Sequence, residues 1–306
     1  MKVFRNILVC LDLTEMDEAI IRYVGFLASI FRPSGLTFIH VMESNEIPEE
    51  IADAFPDLGK PLSDIVNEEI REKVNETLDE IDGVKVSIVL EYGLPTEEII
   101  QYARNNRIDL AVLGKKIGYV GEGSVARRIV GLMPSSVLLV SETSPHQISK
   151  ILVRMDFSKT SVIAMKTAKD ISETAGAELE CHHVYKLPLA YTPKNTPGEA
   201  KKLKVKLGQY VENEYKAFIK KNKLDYKYPC TFSMDIQGDE AHMVYSHAIK
   251  TGADLIVSGS RIKSQLANVM LDRTSEKLAG ANKSIPVLVV KDMKQSIGFL
   301  KSLFEY

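Results

Sequence analysis

The sequence predicts an α/β protein in which one kind of domain, a parallel sheet covered by helices on both faces, is built twice in tandem. Three observations carry that expectation. The chain has 306 residues, enough for two separate cores. Short continuous apolar runs alternate with helix-period segments, as they do when strands are buried on both faces. The first half also recurs in the second in unchanged order. Ile7-Leu8-Val9-Cys10-Leu11-Asp12-Leu13-Thr14 returns as Ile151-Leu152-Val153-Arg154-Met155-Asp156-Phe157-Ser158, His40-Val41 as His183-Val184, Gly93 as Gly238, Asp109-Leu110 as Asp254-Leu255, and Gly114 as Gly259. A repeat unit of about half the chain is a domain duplication and not a solenoid.

In order, residues 3–11 read as a buried strand. Ala19, Ile20, Tyr23, Val24 and Leu27 then fall at helical spacing, and residues 36–42 form the second strand. A long helix over 64–81, a strand over 84–90, a helix over 96–105 and a strand over 110–113 follow. A glycine-rich turn, a helix and the strand ending at Val140 close the half. The second half matches, with Ala164, Ala168, Ile171 and Ala175 on one helix face. Strand crossovers should be right-handed. The polar stretch Glu142-Thr143-Ser144-Pro145-His146-Gln147 marks the boundary, giving domains 1–146 and 147–306. Its shortness predicts halves docked tightly, without a flexible tether.

Composition narrows the partners. A formal net charge of -2 gives no global attraction for nucleic acid or an anionic membrane. Cys10, Cys181 and Cys230 are far apart and form no C-x-x-C, which argues against a disulfide framework or cysteine zinc site and fits a reducing cytoplasm. Asp12 interrupts the N-terminal apolar run too early for a signal peptide, and no run is long enough to span a membrane.

The residues ILVCLD opening the first strand, the His-Val pair ending the second, YGLPTEEIIQYARNNRIDLAVLG, and GSVARRIVGLMPSSVLLV together resemble the universal stress protein family in its tandem form. The resemblance covers both halves up to Asp292. It implies two universal-stress-protein-like domains, each a five-stranded parallel sheet, with a nucleotide site at the carboxyl ends of the strands. Open parallel sheets bind ligands there on general grounds as well. Carried over by resemblance, Asp12 and Val41 line the nucleoside pocket of the first half, the backbone at Val41 reading adenine. Gly114, Gly123 and Ser124 take ribose and phosphates of ATP, with magnesium.

In nucleotide-binding members a glycine is followed by two residues, a second glycine, nine residues, and Gly-Ser or Gly-Thr at a helix start. Here only eight residues separate Gly114 from Gly123-Ser124, where the family has twelve, and Ile117 stands where the middle glycine is expected, with Gly118 next. Four fewer residues remove up to roughly 13 Å of reach. The second half keeps the length, but Ile262 replaces the middle glycine and Asp272-Arg273 replaces Gly-Ser, which reads as a degraded site.

Plainer roles stand beside these. Asp12 and Thr14 can cap the next helix, and Gly123-Ser124 the last. Adjacent His182 and His183 point to opposite faces of a strand and cannot chelate one ion, and His40, standing where His183 does, suggests a shared hydrogen-bonding role. No G-x-S-x-G or Walker motif is present, and the G-x-G-x-x-A match at residues 121–126 does not follow a first strand. Residues 43–82 carry fourteen acidic against three basic side chains, and residues 194–227 ten lysines against four acidic ones. Solvated helix faces are the plain account of both, and the alternative expectation is that the two regions attract across a domain or subunit interface. The lysines lack the interleaved aromatics of a single-strand binder, which argues against nucleic acid. Ile297, Leu300 and Phe304 predict a short C-terminal helix.

The reading is a cytoplasmic stress-response binding or regulatory module, its halves paired pseudo-symmetrically, with a homodimer also compatible. Two alternatives compete with it: a slow ATPase at the first-half site, and a cleft that holds another small ligand such as a lipid or a nucleotide-sugar.

Overall fold

A computed structural model describes residues 3–43, 61–78, 81, 83–115, 124–186, 197–224, 228–235, 238–260, 273–280 and 284–292. The first half runs β1 (Asn6–Cys10), α1 (Met16–Phe31), β2 (Gly35–Met42), α2 (Leu62–Thr77), β3 (Lys85–Tyr92), α3 (Pro95–Asn105), β4 (Leu110–Gly114), α4 (Ser124–Leu132) and β5 (Ser136–Val140). The second runs β6 (Lys150–Met155), α5 (Lys159–Ala175), β7 (Glu178–Lys186), α6 (Pro197–Asn222), β8 (Cys230–Asp235), α7 (Glu240–Thr251), β9 (Leu255–Gly259), α8 (Arg273–Ala279) and β10 (Val287–Val290). The expected elements form within a few residues of their anticipated ends. The expected C-terminal helix, the middle of both glycine-rich loops and the start of each charged segment lie outside the described residues.

Within each half the five strands are parallel, and the two sets join into one ten-stranded sheet of order β3-β2-β1-β4-β5-β10-β9-β6-β7-β8. The seam is antiparallel, pairing Val137 with Val289, Leu138 with Leu288 and Leu139 with Val287. Every residue of β5 and β10 is buried. Left unpaired, either strand would be an apolar edge open to aggregation, and each covers the other. Side chains reinforce the seam. Ser144 Oγ donates to the Ser284 carbonyl at 3.0 Å, and Lys291 Nζ to the carbonyls of Gly131 and Met133 at 3.0 and 2.7 Å. The last two acceptors follow from α4, whose final carbonyls lack intrahelical donors.

The period of two decides the layers. Ile7 and Val9 of β1 join the core under α1, α2, α5 and α6, while Leu8 between them joins the core under α3, α4, α7 and α8. The repeated Asp-Leu at β4 and β9 also gains a reason. Asp109 accepts from the amides of Arg5 and Asn6, and Asp254 from those of Ser149 and Lys150, tying the start of each half's first strand to its neighbour. Among the described residues the attraction expected between the acidic and basic segments does not join α2 to α6, because the two helices stand over opposite ends of the sheet.

Candidate functional site

In each half the chain leaves its first strand, β1 or β6, at the switch point of the sheet, where the next strand lies on one side and the fourth on the other. Crevices for ligands open at such points. In the first half the loop is Leu11 to Glu15. Leu13 adopts φ 59°, a left-handed conformation costly for a branched side chain, and Phe157 repeats it at φ 56°. The loop is held from below by Asp17, wholly buried in the first turn of α1, whose carboxylate accepts from the amides of Asp12 and Leu13 at 3.0 and 2.9 Å. Burial pushes the Asp17 carboxyl above its ordinary range, against those amides and a Lys73 ammonium 3.8 Å away. In the second half a hydroxyl serves, with Ser161 Oγ accepting from the Asp156 amide at 3.0 Å.

Asp12 itself is exposed, and its Oδ1 accepts from Thr14 Oγ1 at 2.5 Å and the Thr14 amide at 3.2 Å. Thr14 Oγ1 accepts in turn from the Met16 amide at 3.3 Å, so the pair braces the loop before α1, but the helix has Glu15 at its N-cap and no side-chain cap hydrogen bond, contrary to the capping expectation. Ser158 performs the full cap on α5, accepting from the Ser161 amide at 3.2 Å. Val41, the next-to-last residue of β2, is buried beside the loop. Its neighbour His40 sets Nδ1 3.0 Å from the Leu11 carbonyl, and His183 does the same to Met155 at 2.6 Å, which is the shared role expected of the pair. His182 points to the other face.

The strand-end glycines have a packing reason. A β-carbon on Gly114 would lie 2.6 Å from Met16 Cγ and 2.8 Å from Ile20 Cδ1, and one on Gly259 only 2.4 Å from the Thr160 carbonyl oxygen. The first turns of α1 and α5 cross the ends of β4 and β9 too closely for any side chain. Gly114 thus ends β4 against α1, next to the strand that leads into the Asp12 loop. Gly123 lies outside the described residues, and Ser124 opens α4.

The two crevices differ in a way the repeat did not announce. Arg154, near the end of β6, is almost fully buried and donates through Nε to Glu240 Oε1 at 2.7 Å, with Asp156 Oδ2 3.9 Å from another of its nitrogens. Thr274 Oγ1 donates to Glu240 Oε2 at 2.9 Å. This network ties β6, the start of α7 and the start of α8 across the mouth of the crevice. The corresponding first-half residues are Cys10, Pro95 and Val125, which can form none of it. The available sequence signal was an arginine inside the otherwise apolar run Ile151 to Met155.

A second polar cluster lies on the α7 side of β7 and also escaped the sequence reading, although Glu180 and His182 stand in a central strand. His247 Nε2 lies 2.7 Å from Glu180 Oε1, Lys150 Nζ 3.1 Å from Glu180 Oε2, and Thr231 Oγ1 2.8 Å from His182 Nδ1. Burial alone would raise the Glu180 carboxyl, but the hydrogen bonds from His247 and Lys150 hold it below its ordinary value. The rings of His182 and His247 stack at 4.0 Å. Burial, aided by the charge His247 can carry, lowers His182 to about 4. Its folded value lies below its unfolded one, so stability present above pH ~6.5 is lost as the pH falls toward 4, by roughly 3 kcal/mol. Urea midpoints should therefore fall across that window in the wild-type chain. The fall should be shallower in His182→Ile, which installs the residue Ile39 supplies in the first half; equal slopes would remove His182 as the cause.

The model of the universal stress protein family matches residues 4–141 and again residues 147–291. The stress response protein NhaX of Bacillus subtilis is 43% identical over 56 residues, 18% of this chain and 33% of that protein, so the alignment spans about a third of the relative's length. A universal stress protein from Archaeoglobus fulgidus shares 18% identity at a TM-score of 0.63, covering 94% of this chain and 98% of its own. A protein described as a putative universal stress protein from Pseudomonas aeruginosa shares 17% at 0.64, covering 100% and 99%. At these identities the two structures speak to fold alone, and they support the same tandem architecture over the whole chain.

Proposed function

Because this chain belongs to the universal stress protein family and carries its domain twice, we propose that it is a cytoplasmic stress-response binding module that takes an adenine nucleotide in its first-half crevice and uses its second half as support. The observation that carries this division of labour is the Arg154–Glu240–Thr274 network, which closes one crevice with ion pairs and hydrogen bonds the other cannot make. In the first half the residues fit the nucleoside end of ATP. Asp12 is exposed, with Oδ1 engaged by Thr14 and Oδ2 able to accept from a ribose hydroxyl. The strand-end backbone at Val41 would read the base, and Gly114, whose missing β-carbon makes room for Met16 and Ile20 of α1, would bring its backbone to the ribose. Gly123 and Ser124 would meet the phosphates at the start of α4, where unpaired amides favour anions; magnesium would accompany the phosphates as counter-charge. The reading divides the chain at 146/147. Three free cysteines support the cytoplasmic assignment, and no helix among the described residues is long and apolar enough to cross a membrane.

The test is calorimetric titration of the purified chain with ATP and magnesium, after mass spectrometry of anything released on denaturation. One site per chain is expected, lost in Gly123→Asp and retained in Asp272→Gly. Absence of binding at millimolar ATP would overturn the nucleotide assignment, and a co-purified lipid or nucleotide-sugar would replace it. Phosphate release above background in the same samples would make the first half a slow ATPase.

A further inference from the structure

The acidic and basic segments that the chain keeps apart point to a second copy of itself. Nine inter-strand steps of about 4.8 Å separate β3 from β8, so α2 and α6 stand about 43 Å apart along the sheet. That is several times the Debye length of ~8 Å at physiological salt, and neither helix can neutralise the other within one chain. The described exposed charges are mostly acidic on α2 and mostly basic on α6, and on α6 the N-terminal part, residues 202–210, carries lysines alone. Along α2 the exposed side chains include Asp64, Glu68, Glu69, Glu72 and Glu76 against the single exposed Arg71. Along α6 they include Lys202, Lys204 and Lys206, and then Lys216, Lys220 and Lys221 against Glu212, which pairs with Lys216, and Glu214, which accepts from the Tyr210 hydroxyl.

The way α6 is anchored sharpens the case. Among its residues of described burial, the buried ones are Val211, Tyr215, Phe218 and Ile219, all in the C-terminal half. Residues 202–210 include no buried side chain, and they expose Val205 at 55% and Tyr210 at 60% among the lysines. About two and a half turns of helix therefore lie beyond the buried contacts, with apolar and cationic groups exposed. An exposed tyrosine and a valine ringed by charge resemble the centre and rim of a protein interface. Among the described residues Lys202, Lys204 and Lys206 have no acidic partner.

We infer that the N-terminal half of α6 docks on the acidic face of α2 of a second copy, and that the contact is reciprocated, giving a closed dimer. Charge complementarity selects this occupant: the acidic surface that matches α6 is carried by the same chain in equal amount. Reciprocation satisfies both surfaces of both copies and leaves no open end from which a fibre could grow. Exposed pairs contribute little each, so strength comes from their number and from the apolar centre, and the association should weaken with salt.

The full chain is measured by light scattering and sedimentation equilibrium. The wild type should be a dimer whose dissociation constant rises at least about tenfold from low to high salt. Lys202→Glu/Lys204→Glu/Lys206→Glu and, separately, Glu68→Lys/Glu69→Lys/Glu72→Lys should each be monomeric with unchanged circular dichroism. An equimolar mixture of the two variants should form the dimer again, because each now complements the other. A monomeric wild type, dimers that survive either reversal, a mixture that stays monomeric, masses growing beyond two copies, or a monomer that instead captures duplex DNA would each overturn the inference.

Discussion

Replacing Arg154 by cysteine, the residue its first-half counterpart carries, should destabilise the second half by about 3–5 kcal/mol, because it leaves Glu240 in the crevice without its cation. The geometry explains the size. The guanidinium is 4% exposed and Glu240 18%, with 2.7 Å between them, so water can take up little of the lost interaction. Glu240→Pro alone should also destabilise, but by less, since Asp156 still lies 3.9 Å from the guanidinium. Proline itself is tolerated there, because Glu240 is the first residue of α7, where the amide lacks an intrahelical acceptor. The double variant Arg154→Cys/Glu240→Pro removes both charges and should recover most of the loss. The double-mutant cycle in urea reads this directly: a coupling of about 2–4 kcal/mol is expected, and additive losses would mean that the pair is not a unit.

Gly259→Ala should cost about 3 kcal/mol and Gly114→Ala about 1 kcal/mol, although one methyl is added at equivalent positions. The first methyl would lie 2.4 Å from the Thr160 carbonyl oxygen and 2.6 Å from its carbon, which cannot move without shifting the first turn of α5. The second meets the side chains of Met16 and Ile20, and a methionine repacks readily. Urea unfolding of the two variants separates the cases, and equal losses would contradict this account of the close approach. Persistence of ATP binding in Gly114→Ala would further show that this glycine serves the helix crossing and not the ligand.

How much of this was legible in the sequence depended on whether the information was periodic. Strands such as Ile7 to Cys10 and Leu110 to Gly114 are apolar throughout because both sheet faces are covered, and that pattern reads directly from the chain. The duplicated order also made the family resemblance and the position of the crevices legible. The single continuous sheet did not emerge, because apolar Val137 to Val140 and Val287 to Val290 look alike whether an edge is paired or merely covered. Asp17 was hidden for a different reason. It lies beside Met16 on the buried side of α1, and only the fold shows the Asp12 and Leu13 amides converging on it. The Arg154–Glu240 tie joins positions 86 residues apart, and Glu180 meets His247 across 67, separations at which no local pattern operates. The charged segments were read correctly as opposite in sign, but their distance apart required the strand order.

The antiparallel seam between β5 and β10 has a genetic consequence. Two identical domains meeting across that seam would receive every mutation twice, so an arginine at the end of the first strand would close both crevices together. Joined in one chain, the halves are inherited separately while remaining in fixed one-to-one proportion. Arg154 could therefore replace a cysteine-like neutral residue on one side while Cys10 stayed on the other. Fusion turns a symmetric pair into two halves that can diverge independently.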